Sequence, residues 1–159
     1  GRILQDLQTW LGCSALRAGD IQQRGQLHIQ VLPFIQQDQY DRLLWSCDFN
    51  AVRGEDSFVR AQWAGRPLLW HIYQQADDIH LEKLDAFLAH YKAGLSADGQ
   101  RALVELWHAW NTGQSVKESW NELLQSWPEQ QTHAEQWCLQ RASQADLAEA
   151  LVQFYLNWL

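Results

Sequence analysis

Residues 49–72 read FNAVRGEDSFVRAQWAGRPLLWHI. Phe49 to Val52 is a short run suited to a strand, and Arg53-Gly54 breaks it. Phe58, Val59, Gln62 and Trp63 then fall at helical spacing, Gly65 is placed to close that helix, and Pro67 lies just beyond. Leu68 to Ile72 is apolar enough for a strand buried on both faces. Strand, helix, strand at this spacing predicts a parallel βαβ unit with a right-handed crossover.

The flanks extend the pattern. Ile3, Leu4, Leu7, Trp10 and Leu11 recur with helical period, and Gly12 stops them. Leu27 to Leu32 (LHIQVL), ended by Pro33, reads as another strand of the same parallel sheet. Tyr40 to Trp45 reads as one or two helical turns with Asp38 as N-cap. From residue 79 onward the period is helical throughout: Leu81 to Tyr91, Leu103 to Trp110, Trp120 to Trp127 ended by Pro128, His133 to Gln140, and Asp146 to Trp158. The expected fold is α/β over about residues 1–78 and all helix over 79–159, within one domain. Gln-rich pieces such as Gln36-Gln37 and Gln74-Gln75 read as polar connections.

Composition narrows the function. The 159 residues are 47% hydrophobic and 19% charged, which suits a packed core. A net charge of -7 opposes a sequence-independent nucleic-acid clamp or an anionic membrane surface, so neither nucleic acid nor membrane is expected as a partner. Cys13, Cys47 and Cys138 are scattered, and no CxxC or HExxH occurs, so no metal site is expected. The thiols and the missing signal pattern fit the cytoplasm. Each Cys reads first as a small buried hydrophobe. Trp45, Trp70 and the tryptophans from Trp107 to Trp158 read first as core filler and second as stacking platforms. Met is absent and the sequence opens at Gly1, which leads us to expect a domain cut from a larger protein.

In doubly wound folds ligands bind beyond the carboxyl ends of the strands. Three such ends are expected on one edge: Pro33 to Gln37, Arg53 to Ser57, and Tyr73 to Gln75. The second carries most chemistry. Gly54 permits positive φ or close backbone approach, and the helix that follows presents the N–H groups of Glu55, Asp56 and Ser57 to an anion. Arg53 adds a fork of donors and Ser57 a hydroxyl. Glu55 and Asp56 are anionic and suit the same helix end, so plain capping competes with phosphate binding here. A phosphate requires their carboxylates to turn aside, where they can accept from sugar hydroxyls. At the first end, Phe34 reads as a core residue or a cover for a base, with Gln37 and Tyr40 following. At the third end, Tyr73 is placed to reach a phosphate or simply to pack. These residues imply an anion or nucleotide site, not a reaction.

The stretch Asp48 to Gln62 closely resembles the RGEDSFVRAQ signature of the bacterial protein-arginine rhamnosyltransferases that modify translation elongation factor P. Pro33-Phe34, Asp38 to Trp45, Ala64 to Pro67 and Trp70 to Tyr73 resemble the family's flanking segments. Gln74 departs from them, standing where the family has Pro in WHIYPQ. The resemblance is dense over residues 25–90 and thinner in the helical tail. It implies the C-terminal, donor-binding, Rossmann-like domain of a GT-B glycosyltransferase with two facing domains. It further implies an inverting, metal-free transfer of rhamnose from dTDP-β-L-rhamnose to an arginine of elongation factor P, with no cofactor. Phe34 would cover the thymine, and Gln37 and Tyr40 would shape the nucleoside pocket. Arg53, Gly54, Asp56, Ser57 and Tyr73 would hold the diphosphate, and Glu55 would take ribose or rhamnose hydroxyls. Glu55 and Asp56 would support catalysis, with the general base in an N-terminal domain outside this sequence, so the isolated chain would be inactive. Two alternatives stay open: another nucleotide-sugar enzyme with a different donor or acceptor, and a non-catalytic helical interaction module.

Overall fold

The computed structural model describes residues 2–75 and 78–158. The chain divides into two compact units, residues 1–40 and residues 41–159.

The first unit holds helix α1 (Arg2–Leu11) and a hairpin of β1 (Ile21–Arg24) and β2 (Leu27–Gln30). Gly12, at φ 69°, ends α1. The strands pair antiparallel with Arg24 opposite Leu27, so only Gly25 and Gln26 form the turn. Gly25 sits at φ 61°, the left-handed geometry that two-residue hairpin turns demand. The ladder runs on past the strands, with Val31 N–H donating to Asp20 O (2.9 Å) and Gly19 N–H to Val31 O (2.7 Å). The guanidinium of Arg24 lies 4.2 Å above the Trp10 ring and donates to Trp10 O. This corrects the expectation for Leu27 to Leu32. Those residues belong to an antiparallel hairpin, because a two-residue turn can join only antiparallel neighbours. The parallel sheet among the described residues therefore has two strands, and only two of the three expected strand ends share its edge.

Helix α2 spans Gln37–Ser46, so Asp38 lies in its first turn and is not its N-cap. The second unit then forms β3 (Asn50–Arg53), α3 (Glu55–Trp63) and β4 (Leu68–His71). β3 and β4 pair in parallel, Asn50 with Leu68 through Arg53 with His71. Leu68, Leu69 and Trp70 of β4 are buried in succession, as a strand covered on both faces requires, whereas β3 alternates, with Asn50 and Val52 buried and Ala51 and Arg53 exposed. Helices α4 (Ile79–Tyr91), α5 (Ala97–Thr112), α6 (Lys117–Gln125), α7 (Trp127–Ala142) and α8 (Leu147–Leu156) follow. Pro128 opens α7, where its missing N–H costs nothing, and does not simply close the segment before it.

The core of this unit is aromatic. Phe58 of α3 stacks on Trp70 of β4 with centroids 4.1 Å apart, and Phe87 of α4 meets Phe58 edge-on at 4.6 Å. Tyr91, Trp107 and Trp137 gather around Phe87. Helix α7 covers α3: Trp137 Nε1–H donates to Gln62 Oε1 (3.0 Å), and Gly65 lies against Cys138. The core-filler reading holds for Trp70, Trp107 and Trp137, but Trp45, Trp110 and Trp158 are exposed. All three cysteines are half-buried free thiols. No helix among the described residues is long and apolar enough to cross a membrane.

Candidate functional site

The β3–α3 turn is built to keep its end open. Gly54 stands at φ 81°, ψ 171°, a region that side chains beyond glycine rarely adopt. The residue is fixed on three sides. Its N–H donates to His71 O on β4 (3.4 Å), and its carbonyl accepts from Phe58 N–H (3.2 Å) and from the buried Trp70 indole (3.1 Å). Phe58 N–H to Gly54 O is the first backbone bond of α3, so the N–H groups of Glu55, Asp56 and Ser57 precede the helical ladder. The N-cap position is Gly54, and among the described residues no side chain caps this terminus.

The Asp56 carboxylate is engaged elsewhere. Its Oδ2 accepts from Arg60 Nε, one turn further along the helix, at 3.1 Å. Arg60 Nη1 in turn donates to both carboxylate oxygens of Asp41 at 2.8 Å. These hydrogen bonds hold the Arg60 guanidinium above its ordinary pKa, Asp41 contributing more than Asp56. The carboxylate of Asp56 is thus drawn down the flank of α3, away from the N–H groups. Glu55 is exposed and makes no capping bond.

Beside the turn, Tyr73 follows β4 with its ring against Gly54. The Arg53 guanidinium lies 4.9 Å above that ring. A cation over an aromatic face keeps its in-plane N–H donors free to point outward. Arg53, Gly54, Glu55, Asp56, Ser57 and Tyr73 therefore converge on one edge, as two parallel strand ends dictate. Phe34, Gln37 and Tyr40 lie in the first unit: Phe34 in the segment after β2, the other two in α2. Phe34 is fully exposed, so its reading as a core residue fails.

Sequence reasoning missed three supports. Asn111 of α5 is buried and clamps β4: its Oδ1 accepts from Ile72 N–H (3.0 Å), and its Nδ2 donates to Trp70 O (2.9 Å) and Trp107 O (2.8 Å). Asn50, also buried, donates to Leu44 O. The Asp41–Arg60 pair is the third. None of the three has a spacing signal; only the adjoining Asp56–Arg60 contact falls at a helical i,i+4 spacing. A cleft of about 640 Å³ lined by His90, His133, Trp137 and Arg141 shares no residue with the turn.

Comparison with known proteins is consistent across sequence and structure. The family described as Elongation-Factor P (EF-P) rhamnosyltransferase EarP matches residues 1–156. A protein-arginine rhamnosyltransferase of Pseudomonas putida is 58% identical over all of this chain and 42% of its own length. That of Pseudomonas aeruginosa is 54% identical with the same coverage. A solved structure bearing on EarP-mediated arginine glycosylation of translation elongation factor EF-P superposes with a TM-score of 0.88 at 57% identity, over 100% of this chain and 50% of that one. The chain thus spans about two-fifths of the length of these curated relatives.

Proposed function

This chain belongs to the EF-P rhamnosyltransferase family, and from that premise we propose that it is the donor-binding part of an inverting glycosyltransferase. In this reading the donor is dTDP-β-L-rhamnose, the acceptor is an arginine of elongation factor P, and the two-domain framework is GT-B. A translation factor as acceptor places the reaction in the cytoplasm. The observation that carries the reading is the uncapped α3 N-terminus, with Asp56 withdrawn onto Arg60 and Arg53 beside it.

The chemistry follows from charge. The bond from the anomeric carbon to the β-phosphate oxygen breaks, and its electron pair leaves with dTDP. Negative charge grows on that phosphate. The N–H groups of residues 55–57, the helix dipole, the Ser57 hydroxyl and Arg53 meet it, and no metal is required. Tyr73 braces Arg53 and offers its hydroxyl to the diphosphate. An arginine nitrogen of the acceptor forms the new C–N bond from the opposite face, which inverts the centre. Free guanidinium is protonated and a poor nucleophile, so its proton must pass to a carboxylate. That base lies outside this chain. Glu55, exposed beside the phosphates, accepts from ribose or rhamnose hydroxyls and orients the sugar.

Calorimetric titration of the full-length protein with dTDP, with and without chelator, tests the reading. We expect equal binding in both, and weaker binding of UDP and GDP. Binding abolished by the chelator refutes the metal-free account. A preference for UDP or GDP points to a different nucleotide-sugar enzyme. Binding of none of the three overturns the donor-site assignment.

A further inference from the structure

Every feature of the β3–α3 turn that favours an anion is opposed by two carboxylates in the first helical turn, Glu55 and Asp56. An aspartate at this position ordinarily folds back on the helix N–H groups or sits in the field of the positive helix end. Among the described residues no such bond forms, and the Asp56 carboxylate is engaged by Arg60 instead. Its Nε takes Asp56, while its Nη1 is held by both oxygens of Asp41, from α2. The Arg60 side chain is about one quarter exposed and that of Asp41 slightly more, whereas the Asp56 side chain is three-quarters exposed. The better-covered pair thus forms the anchor, and Asp56 is the arm it holds.

We propose that Arg60 is a positioning residue for the donor site: anchored on Asp41, it holds the Asp56 carboxylate off the α3 N-terminus and so keeps the N–H groups of residues 55–57 open to a diphosphate. The inference rests on the nucleotide reading of this turn. Arg60 touches neither phosphate nor sugar and acts through Asp56. Its charge partly cancels that of Asp56, and its fork fixes where the remainder sits. Lysine would keep the charge but, as a single centre, would not hold both carboxylates at fixed positions.

The test is rescue. In the full-length protein, dTDP affinity is measured for wild type, Arg60→Met, Asp56→Asn and the double variant, with thermal midpoints alongside. Arg60→Met frees the Asp56 carboxylate a few ångströms from the phosphates, and dTDP binding weakens about tenfold or more. Adding Asp56→Asn removes the liberated charge, and the double variant regains about fivefold or more over Arg60→Met. A merely structural Arg60 predicts the opposite: a lowered midpoint with no rescue by Asp56→Asn. If Arg60→Met does not fold, Arg60→Lys with and without Asp56→Asn is read by the same criterion. Wild type that binds dTDP with no rescue in the double variant overturns the role of Arg60 alone. Wild type that binds neither dTDP nor pyrophosphate overturns the nucleotide reading and this inference with it.

Discussion

The ring of Tyr73 lies so close to Gly54 that a Cβ on residue 54 would stand 3.0 Å from Tyr73 Cε2 and 3.1 Å from its hydroxyl. The strand end and the turn are therefore fitted to one another. Gly54 is required twice, for its φ of 81° and for the space it leaves. Gly54→Ala is expected to lose about 1–3 kcal/mol of stability from the backbone conformation alone. The alanine methyl also pushes the Tyr73 ring, and with it Arg53, out of place. Urea unfolding of Gly54→Ala, Tyr73→Ala and the double variant separates the two. The steric part disappears in the double variant, so the costs fall short of additive. Strict additivity would show that the ring yields without cost.

A second prediction concerns Asn111, which is buried and makes three hydrogen bonds to the backbone. Asn111→Leu leaves the Ile72 N–H and the Trp70 and Trp107 carbonyls without this partner. We expect a loss of about 2–4 kcal/mol, since each abandoned buried group carries its desolvation penalty. Asn111→Asp keeps one acceptor but sets a carboxylate against two carbonyls, and should cost at least as much. Chemical denaturation measures both. A cost below that of an ordinary surface substitution would show that β4 is held by packing alone.

These two supports mark where the sequence was legible and where it was not. The β3–turn–α3–β4 unit is local: apolar runs, Gly54, Gly65 and Pro67 fix it within 24 residues of chain. The Asp56–Arg60 pair is local too, at i,i+4. Asn111 reaches Ile72 across 39 residues, and Arg60 reaches Asp41 across 19, so no spacing rule finds them. The hairpin was misread for a different reason. Ile21 to Arg24 is IQQR, polar along most of its length and without the apolar alternation that signals a strand. Only Gly25 announces it, through turn chemistry. Once β1 is overlooked, β2 has no partner except the parallel sheet. The tryptophans show a third limit, because apolar period marks a face of a helix but not whether that face is covered. Trp107 is fully buried, yet α8, with the same kind of pattern, has no buried residue.

Alkaline pH offers a test of the core. Burial pushes the Tyr91 phenol well above its ordinary value of 10.0. The unfolded chain then releases this proton at a lower pH than the folded one. Stability contributed by the neutral phenol is complete below about pH 10 and falls as pH rises above it. The slope from this single group is at most about 1.4 kcal/mol per pH unit. Tyr91→Phe, which keeps the ring beside Phe87 and Trp137, should flatten that limb and change little at pH 7. Equal alkaline sensitivity in both proteins would assign it to other groups.

Under the proposed donor-site reading, Ser57 and Glu55, which flank the same helix end, should fail in different ways. Ser57→Ala removes one hydroxyl but leaves the backbone N–H groups, the helix dipole and Arg53 in place. A hydrogen bond to a charged partner is worth about 1.5–3 kcal/mol. The loss should appear equally with dTDP and with dTDP-rhamnose, because both carry the diphosphate. Glu55→Ala deletes an acceptor for hydroxyls and also a negative charge beside the phosphates. The two effects oppose one another in nucleotide binding. Affinity for dTDP should therefore change little, while turnover of the full-length enzyme on elongation factor P falls sharply, since sugar orientation is lost. Glu55→Gln separates the terms further: it relieves the charge but keeps one acceptor oxygen, so it should retain more turnover than Glu55→Ala. Glu55 makes no capping bond in the structure, so none of these changes should lower the thermal midpoint appreciably. If Glu55→Ala weakened dTDP binding more than Ser57→Ala did, with the midpoint unchanged, Glu55 would be a direct ribose anchor. If the midpoint fell with it, the carboxylate would be serving the helix end after all.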